Sequence, residues 1–142
     1  MRGDQEIVVV VRREGAFLVL RRAPERLGYW STVAGGLEPD ETPQEAAERE
    51  LLEETGLRSE LRELPVSLTY SLLGDPPAIR ARYAPGVETV TVHAFVAEAP
   101  AAWEPTLDAE HDVHRWCDLD EAVSLFPYET TRKAVRAAAK EP

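Results

Sequence analysis

Glu50, Glu53 and Glu54 stand at i, i+3 and i+4 within the segment PQEAAERELLEET. On a helix they project from one face. At about 100° per residue, the same arc holds Ala46 and, at its edge, Ala47, while Glu45, Glu48 and Leu52 fall on the opposite side. Small residues beside the carboxylates imply a helix face pressed close to the body of the protein. Like charges at this spacing weaken an isolated helix by roughly 0.2–0.5 kcal/mol per pair. A bound divalent cation would reverse the sign of that term, and an all-oxygen ligand set suits Mg²⁺, with Mn²⁺ as the alternative. On spacing alone a solvated acidic helix is the simpler account, because 26 acidic residues against 16 basic ones give the chain a formal net charge of −10.

Elements of a sheet must carry such a helix. Glu6–Val11 and Ala16–Arg21 read as two strands around the turn signal Arg13-Glu14-Gly15. A polar loop, Ala23–Gly28, leads to a strand over Tyr29–Val33 that runs into Gly35-Gly36. Thr42 is an N-cap, Pro43 fits the first helical position, Glu45 completes a capping box and Gly56 is a stop, so the spacing predicts a helix over Pro43–Thr55. Leu61–Leu73 reads as strand, best over Ser67–Leu72. Gly74–Pro77 is a loop, Val87–Ala97 a strand, Glu98–Thr106 a connection and Val113–Cys117 a short strand. Helices follow over Asp118–Phe126 and Tyr128–Lys140. The fold class is α/β, a mixed sheet with helices on its faces.

The 142 residues suit one domain, 1–142, and 44% hydrophobic content is enough to fill a core. The acidic balance argues against a nucleic acid polymer as partner, although phosphorylated small molecules remain open if cations intervene. Cys117 is the single cysteine, which excludes an internal disulfide framework and a thiolate cluster. It reads as a small buried hydrophobe. No apolar leader precedes Ile7–Val11, and that run is too short to span a bilayer, so the expectation is a soluble cytoplasmic protein without a membrane partner.

The flanks of the glutamates narrow the chemistry. Five residues separate Gly35 from Glu41 and seven separate Glu41 from Arg49-Glu50-Leu51, which is followed by Glu53-Glu54, Gly56 and Leu57. This resembles the G-x5-E-x7-R-E-U-x-E-E-x-G-U box (U aliphatic) of the MutT-like Nudix hydrolase family, with every fixed position filled. Chance would produce such a match in less than about one chain in a million of this size. The resemblance implies a Nudix fold, an α/β/α sandwich whose catalytic loop–helix–loop carries the box. It implies Glu50, Glu53 and Glu54 as metal ligands, Glu53 also positioning the attacking water, and Glu41 as a further ligand or a support behind the ligands. Arg49 would orient the glutamates, while Gly35 and Gly36 would let backbone approach phosphates and metal. Gly56 reads as a helix stop only. The implied reaction is attack of water at phosphorus in a nucleoside-diphosphate-linked compound.

A narrower likeness bears on the substrate. Tyr29–Val33, Arg80-Ala81-Arg82-Tyr83-Ala84-Pro85-Gly86-Val87, and Glu110-His111 followed by Trp116 resemble the dihydroneopterin triphosphate pyrophosphatase branch. That resemblance implies Glu110 as an extra ligand or base, Arg80 and Arg82 as phosphate contacts, and Trp30 or Tyr83 as a stacking platform. Each has a plain alternative: core packing for Trp30, a turn anchor for Tyr83, surface charge for Arg80 and Arg82, a solvated acidic loop for Glu110. His93, His111 and His114 have no second motif behind them. Ala34 stands where the family commonly has proline, and Asp40 where it commonly has glycine. The substrate expected is a small-molecule phosphoanhydride, with 7,8-dihydroneopterin triphosphate first. Ordinary or oxidised nucleoside triphosphates, ADP-ribose and diadenosine polyphosphates stand behind it, followed by a non-catalytic nucleotide-binding module. Nudix domains often pair, so a homodimer is left open.

Overall fold

The computed structural model describes residues 2–142. Strands β1 (Gln5–Arg13) and β2 (Ala16–Arg22) form a hairpin through Glu14 (φ 50°) and Gly15 (φ 83°). Two consecutive positive φ values match the twist of the flanking strands. β1 lies parallel to β7 (Thr89–Glu98), from Gln5 beside Thr91 to Arg12 beside Glu98. Every other named strand pair is antiparallel, so the sheet is mixed, as the element order predicts.

β1 and β2 pair only at the hairpin end, Arg12 with Phe17 and Arg13 with Ala16. Beyond it they diverge, and two short strands fill the wedge. β3 (Trp30–Ser31) adds to β2, and β4 (Val33–Gly36) adds to β1. The single strand predicted over Tyr29–Val33 is therefore two. The chain crosses from one strand to the other at Thr32, whose buried hydroxyl donates to the Val9 carbonyl. β5 (Leu61–Glu63) and β6 (Leu68–Ser71) share the far edge of β7, and β8 (His111–Cys117) covers the outer edge of β2. A single helical turn, α2 (Pro77–Arg80), follows the predicted Gly74–Pro77 loop.

Helix α1 (Pro43–Thr55) packs on one face of the sheet, and α3 (Leu119–Leu125) with α4 (Glu129–Lys140) on the other. β1 serves both faces. Ile7, Val9 and Val11 meet Ala46, Ala47 and Leu51 of α1, while Val8 and Val10 share a core with Ala122, Phe126, Ala134, Val135 and Ala138. A strand buried on both faces needs apolar residues at every position, which accounts for the unbroken IVVVV run. The α/β/α layering expected from the sequence is the one found.

The start and stop of α1 follow its capping chemistry. Thr42 Oγ1 accepts from the Glu45 N–H (3.1 Å), and Glu45 Oε1 accepts from the Thr42 N–H (3.0 Å). Gly56 takes the left-handed conformation (φ 80°) and donates to the Leu52 carbonyl at 2.9 Å. Both ends are fixed, and so is the rotational phase of the glutamates.

Candidate active site

α1 buries Ala46, Ala47 and Leu51 and turns its carboxylates along the edge of β4. The three glutamates meet different surroundings. The Glu53 side chain is 56% exposed, that of Glu50 is 14% exposed and that of Glu54 is 2% exposed. Arg49 ties the loop before the helix to the cluster. Its Nε and Nη2 donate to Glu41 Oε2 and Oε1 (2.8 and 2.9 Å), Nη1 donates to Glu50 Oε1 (2.8 Å), and Nη2 also reaches the Gly36 carbonyl (3.1 Å). The fork geometry suits a guanidinium and not an ammonium. The hydrogen bond from Arg49 holds the Glu41 carboxyl below its ordinary range. Glu41 commits both oxygens to Arg49, so here it supports the cluster from behind.

Burial, and then Glu50 beside it, push the Glu54 carboxyl well above the usual carboxylate range. Partial burial and Glu50 raise Glu53 in the same direction. Glu54 Oε2 has no hydrogen-bond partner, and Oε1 lies 3.6 Å from His111 Nε2. Glycine at 35 leaves room for the Glu50 carboxylate where it lies: a Cβ there would stand 2.3 Å from Glu50 Oε1. Gly36 is less constrained, with Arg2 Nε 3.7 Å from where its Cβ would stand.

A cleft of about 670 Å³ opens beside this cluster. Ala34, Gly35, Glu50 and Glu53 form one wall, and Asp108 and Glu110 come from the connection before β8. Arg2, Arg22, Arg26, Arg82 and Tyr29 rim it. Glu110 pairs with Arg26 at 3.3 Å, and the Arg22 guanidinium lies 5.5 Å from the Tyr29 ring centre. Four cationic side chains around an acidic floor suit a ligand that brings both negative charge and its own counter-cation.

The structure thus brings Arg49, Glu50, Glu53, Glu54, Glu41, Gly35, Gly36, Glu110 and Arg82 to one place. Trp30, Arg80 and Tyr83 lie elsewhere. Trp30 does not line the cleft; it packs against the α3/α4 core, with the Arg115 and Arg21 guanidiniums 5.3 and 5.9 Å from its ring centre. Arg80 is exposed at the end of α2. Tyr83 is buried, donates to Glu6 Oε2 (3.1 Å) and shares a 2.8 Å hydrogen bond with Tyr70, so it braces a buried carboxylate. Sequence reasoning passed over Arg2, Arg22, Arg26, Tyr29 and Asp108. Arg22 and Arg26, spaced ahead of Tyr29 at the end of β2 and in the loop after it, are the signal that could have found three of them.

The sequence pattern of the NUDIX domain family matches residues 1–138, and the chain belongs to that family. An octanoyltransferase of Myxococcus xanthus is 36% identical over 127 residues, covering 88% of this chain and 32% of that protein. The chain thus spans about a third of the length of that curated relative. The dihydroneopterin triphosphate diphosphatase of Haemophilus influenzae is 28% identical over 142 residues, covering 95% of this chain and 87% of that one. The solved structure of the E. coli dihydroneopterin triphosphate pyrophosphohydrolase superposes with a TM-score of 0.79 at 27% identity, covering 94% of this chain and 92% of that one.

Nudix proteins generally use a divalent cation, and the residues here fit one. The donors are all oxygens, one buried carboxylate oxygen is unpartnered, and the carboxyls raised by burial first and by Glu50 second are ones a cation would favour in ionised form. Among the described residues no three donors already converge on one point, because Arg49 holds Glu50 and lies 3.5 Å from Glu53. No helix among the described residues is long and apolar enough to cross a membrane.

Proposed function

We propose that this chain hydrolyses a phosphoanhydride bond in an Mg²⁺-dependent reaction, with 7,8-dihydroneopterin triphosphate as substrate and pyrophosphate as leaving group. The observation that carries the reading is the carboxylate face of α1, whose Glu50 and Glu53 line a cleft rimmed by four arginines and whose buried Glu54 keeps an unpartnered oxygen. Glu50, Glu53 and Glu54 would hold the cation. When bound, it would offset phosphate charge and make the attacking water more acidic. Arg49 holds Glu50 and Glu41 in register. Arg22, Arg26 and Arg82 would grip phosphate oxygens as guanidinium forks do. Glu110 would accept the water proton once substrate draws Arg26 away from it. The new bond joins water oxygen to phosphorus, and the anhydride P–O bond breaks with its electron pair leaving on pyrophosphate.

The pterin reading is supported by the two dihydroneopterin triphosphate relatives, which match nearly the full chain. A nucleoside triphosphate is the second reading, favoured by Trp30, Arg80 and Tyr83 lying outside the cleft lining. In that case Tyr29 is the aromatic placed to stack on a base. The test is product analysis with Mg²⁺ on a panel of the pterin, ordinary and oxidised nucleoside triphosphates, ADP-ribose and diadenosine polyphosphates. Preferred turnover of the pterin with pyrophosphate released is the expected result. Preference for another member keeps the carboxylate site and discards the pterin. Glu53→Gln should lower turnover ~100-fold or more, the scale of a single positioned catalytic group. Unchanged turnover would return α1 to an ordinary acidic helix.

A further inference from the structure

Glu54 Oε2 and His111 Nε2 are buried side-chain atoms without a hydrogen-bond partner, and they belong to neighbouring side chains. The two side chains are 2% and 1% exposed, and Nε2 stands 3.6 Å from Glu54 Oε1. Buried polar atoms are rarely left unpaired unless a ligand completes them. On its other edge the imidazole is fixed, since Nδ1 lies 3.0 Å from Asp108 Oδ1. Asp108 thus holds the ring through Nδ1, and Nε2 is the atom left facing Glu54. Asp108 is itself anchored: its Oδ1 also accepts from the Glu110 N–H (3.2 Å), and its carbonyl accepts from the His111 N–H (3.4 Å). Asp108, His111 and Glu54 therefore form a chain from the cleft wall to the buried end of the carboxylate cluster.

We propose that His111, buttressed by Asp108, is a positioning residue that fixes the Glu54 carboxyl so that Oε2 stays free for a divalent cation. The proposal rests on the reading that α1 holds that cation. Groups behind a metal ligand set its orientation, and losing one typically costs ~10–100-fold in metal affinity. The ring is 1% exposed and does not line the cleft, so its effect belongs to cation binding.

The test is Mn²⁺ binding without substrate, followed by the paramagnetic resonance signal of free Mn²⁺, on the full chain. Circular dichroism in metal-free buffer checks the fold of each variant. His111→Ala should weaken Mn²⁺ binding ~10–100-fold. His111→Gln, whose amide can reach the same carboxyl oxygen, should recover most of that loss. Asp108→Ala removes the buttress at the cleft wall without opening the core, so it reports on the chain even if His111→Ala does not fold. It should weaken binding in the same direction. Wild-type Mn²⁺ affinity in Asp108→Ala and in a folded His111→Ala overturns the proposal, as does a His111→Gln variant no better than His111→Ala. Failure of the wild-type protein to bind Mn²⁺ overturns the cation reading of α1 and this inference with it.

Discussion

A Cβ at position 35 would lie 2.3 Å from Glu50 Oε1 and 2.5 Å from its Cδ. The clash falls on the tip of a flexible side chain, so the fold can absorb it by moving Glu50. What it cannot keep is the 2.8 Å hydrogen bond by which Arg49 holds that carboxylate. Gly35→Ala should therefore melt close to the wild type yet lose ~10–100-fold in turnover and in Mn²⁺ affinity, the range for disturbing a ligand's support. Thermal melting and Mn²⁺ titration on one preparation check this. Full activity would mean that Glu50 does not act from the place it occupies. Asp40 offers the converse case. It adopts φ 64°, a left-handed conformation that explains why glycine is common there in the family and why aspartate is tolerated.

The connection between β7 and β8 brings Asp108 and Glu110 to the cleft, and one carboxylate clamps it. Glu104 accepts from Arg13 Nη1 (2.8 Å) and Trp116 Nε1 (2.8 Å), lies 3.1 Å from His114 Nε2, and sits beside Arg13 stacked 4.0 Å over the Trp116 ring. Two residues on, the Thr106 N–H bonds the Thr55 carbonyl at the end of α1 (2.9 Å). Arg13 first, then Trp116 and His114, hold the Glu104 carboxyl down at about 2. A carboxyl with a depressed folded value contributes stability above the ordinary carboxylate range, and that contribution is lost as pH falls toward about 2. Glu104→Gln should melt below the wild type at pH 7, and the gap should close on acidification to pH ~2. Melting temperature against pH for both proteins decides it, and a gap that persists in acid removes the clamp.

These elements also show what a sequence can disclose. The bounds of α1 were legible because its caps are local: Thr42, Pro43, Glu45 and Gly56 act within four residues of the ends they set. The box was legible for the same reason. Tyr29 and Trp30 were not separable, because adjacent residues of an extended chain face opposite ways. Only the register of β3 on β2, Arg21 beside Trp30, settles which aromatic meets the cleft. Tyr83 depends on a buried partner far away in the chain, Glu6 on β1, and nothing in Arg80–Val87 announces it. His111 was invisible for the same reason, since its meaning comes from Glu54 across the sheet edge.

β1 carries a separate core on each face, and only one of them seats the glutamates. Phe126 (1% exposed) lies in the core under α3 and α4, and Leu51 (1% exposed) in the core under α1. Truncating either creates a cavity: Phe126→Ala should cost about 3–5 kcal/mol and Leu51→Ala about 2–5 kcal/mol of unfolding free energy, read by urea denaturation. Their effects on catalysis should differ. Leu51 is the neighbour of Glu50 and anchors the helix whose phase aims the carboxylates, so Leu51→Ala should lower turnover even well below its melting temperature. Phe126 lies in the core on the other face of β1 and does not line the cleft, so its variant should turn over normally until it begins to unfold. Turnover measured ~15 °C below each variant's own midpoint isolates this from stability, since a loss of this size is a large share of a domain's ~5–15 kcal/mol. If Phe126→Ala lost activity while still folded, strain would have to reach the cleft through the sheet or through Tyr128, whose ring packs edge-on against Tyr29 at 5.1 Å between centres. The helix pair α3 and α4 would then be part of what aims the site and not only its counterweight.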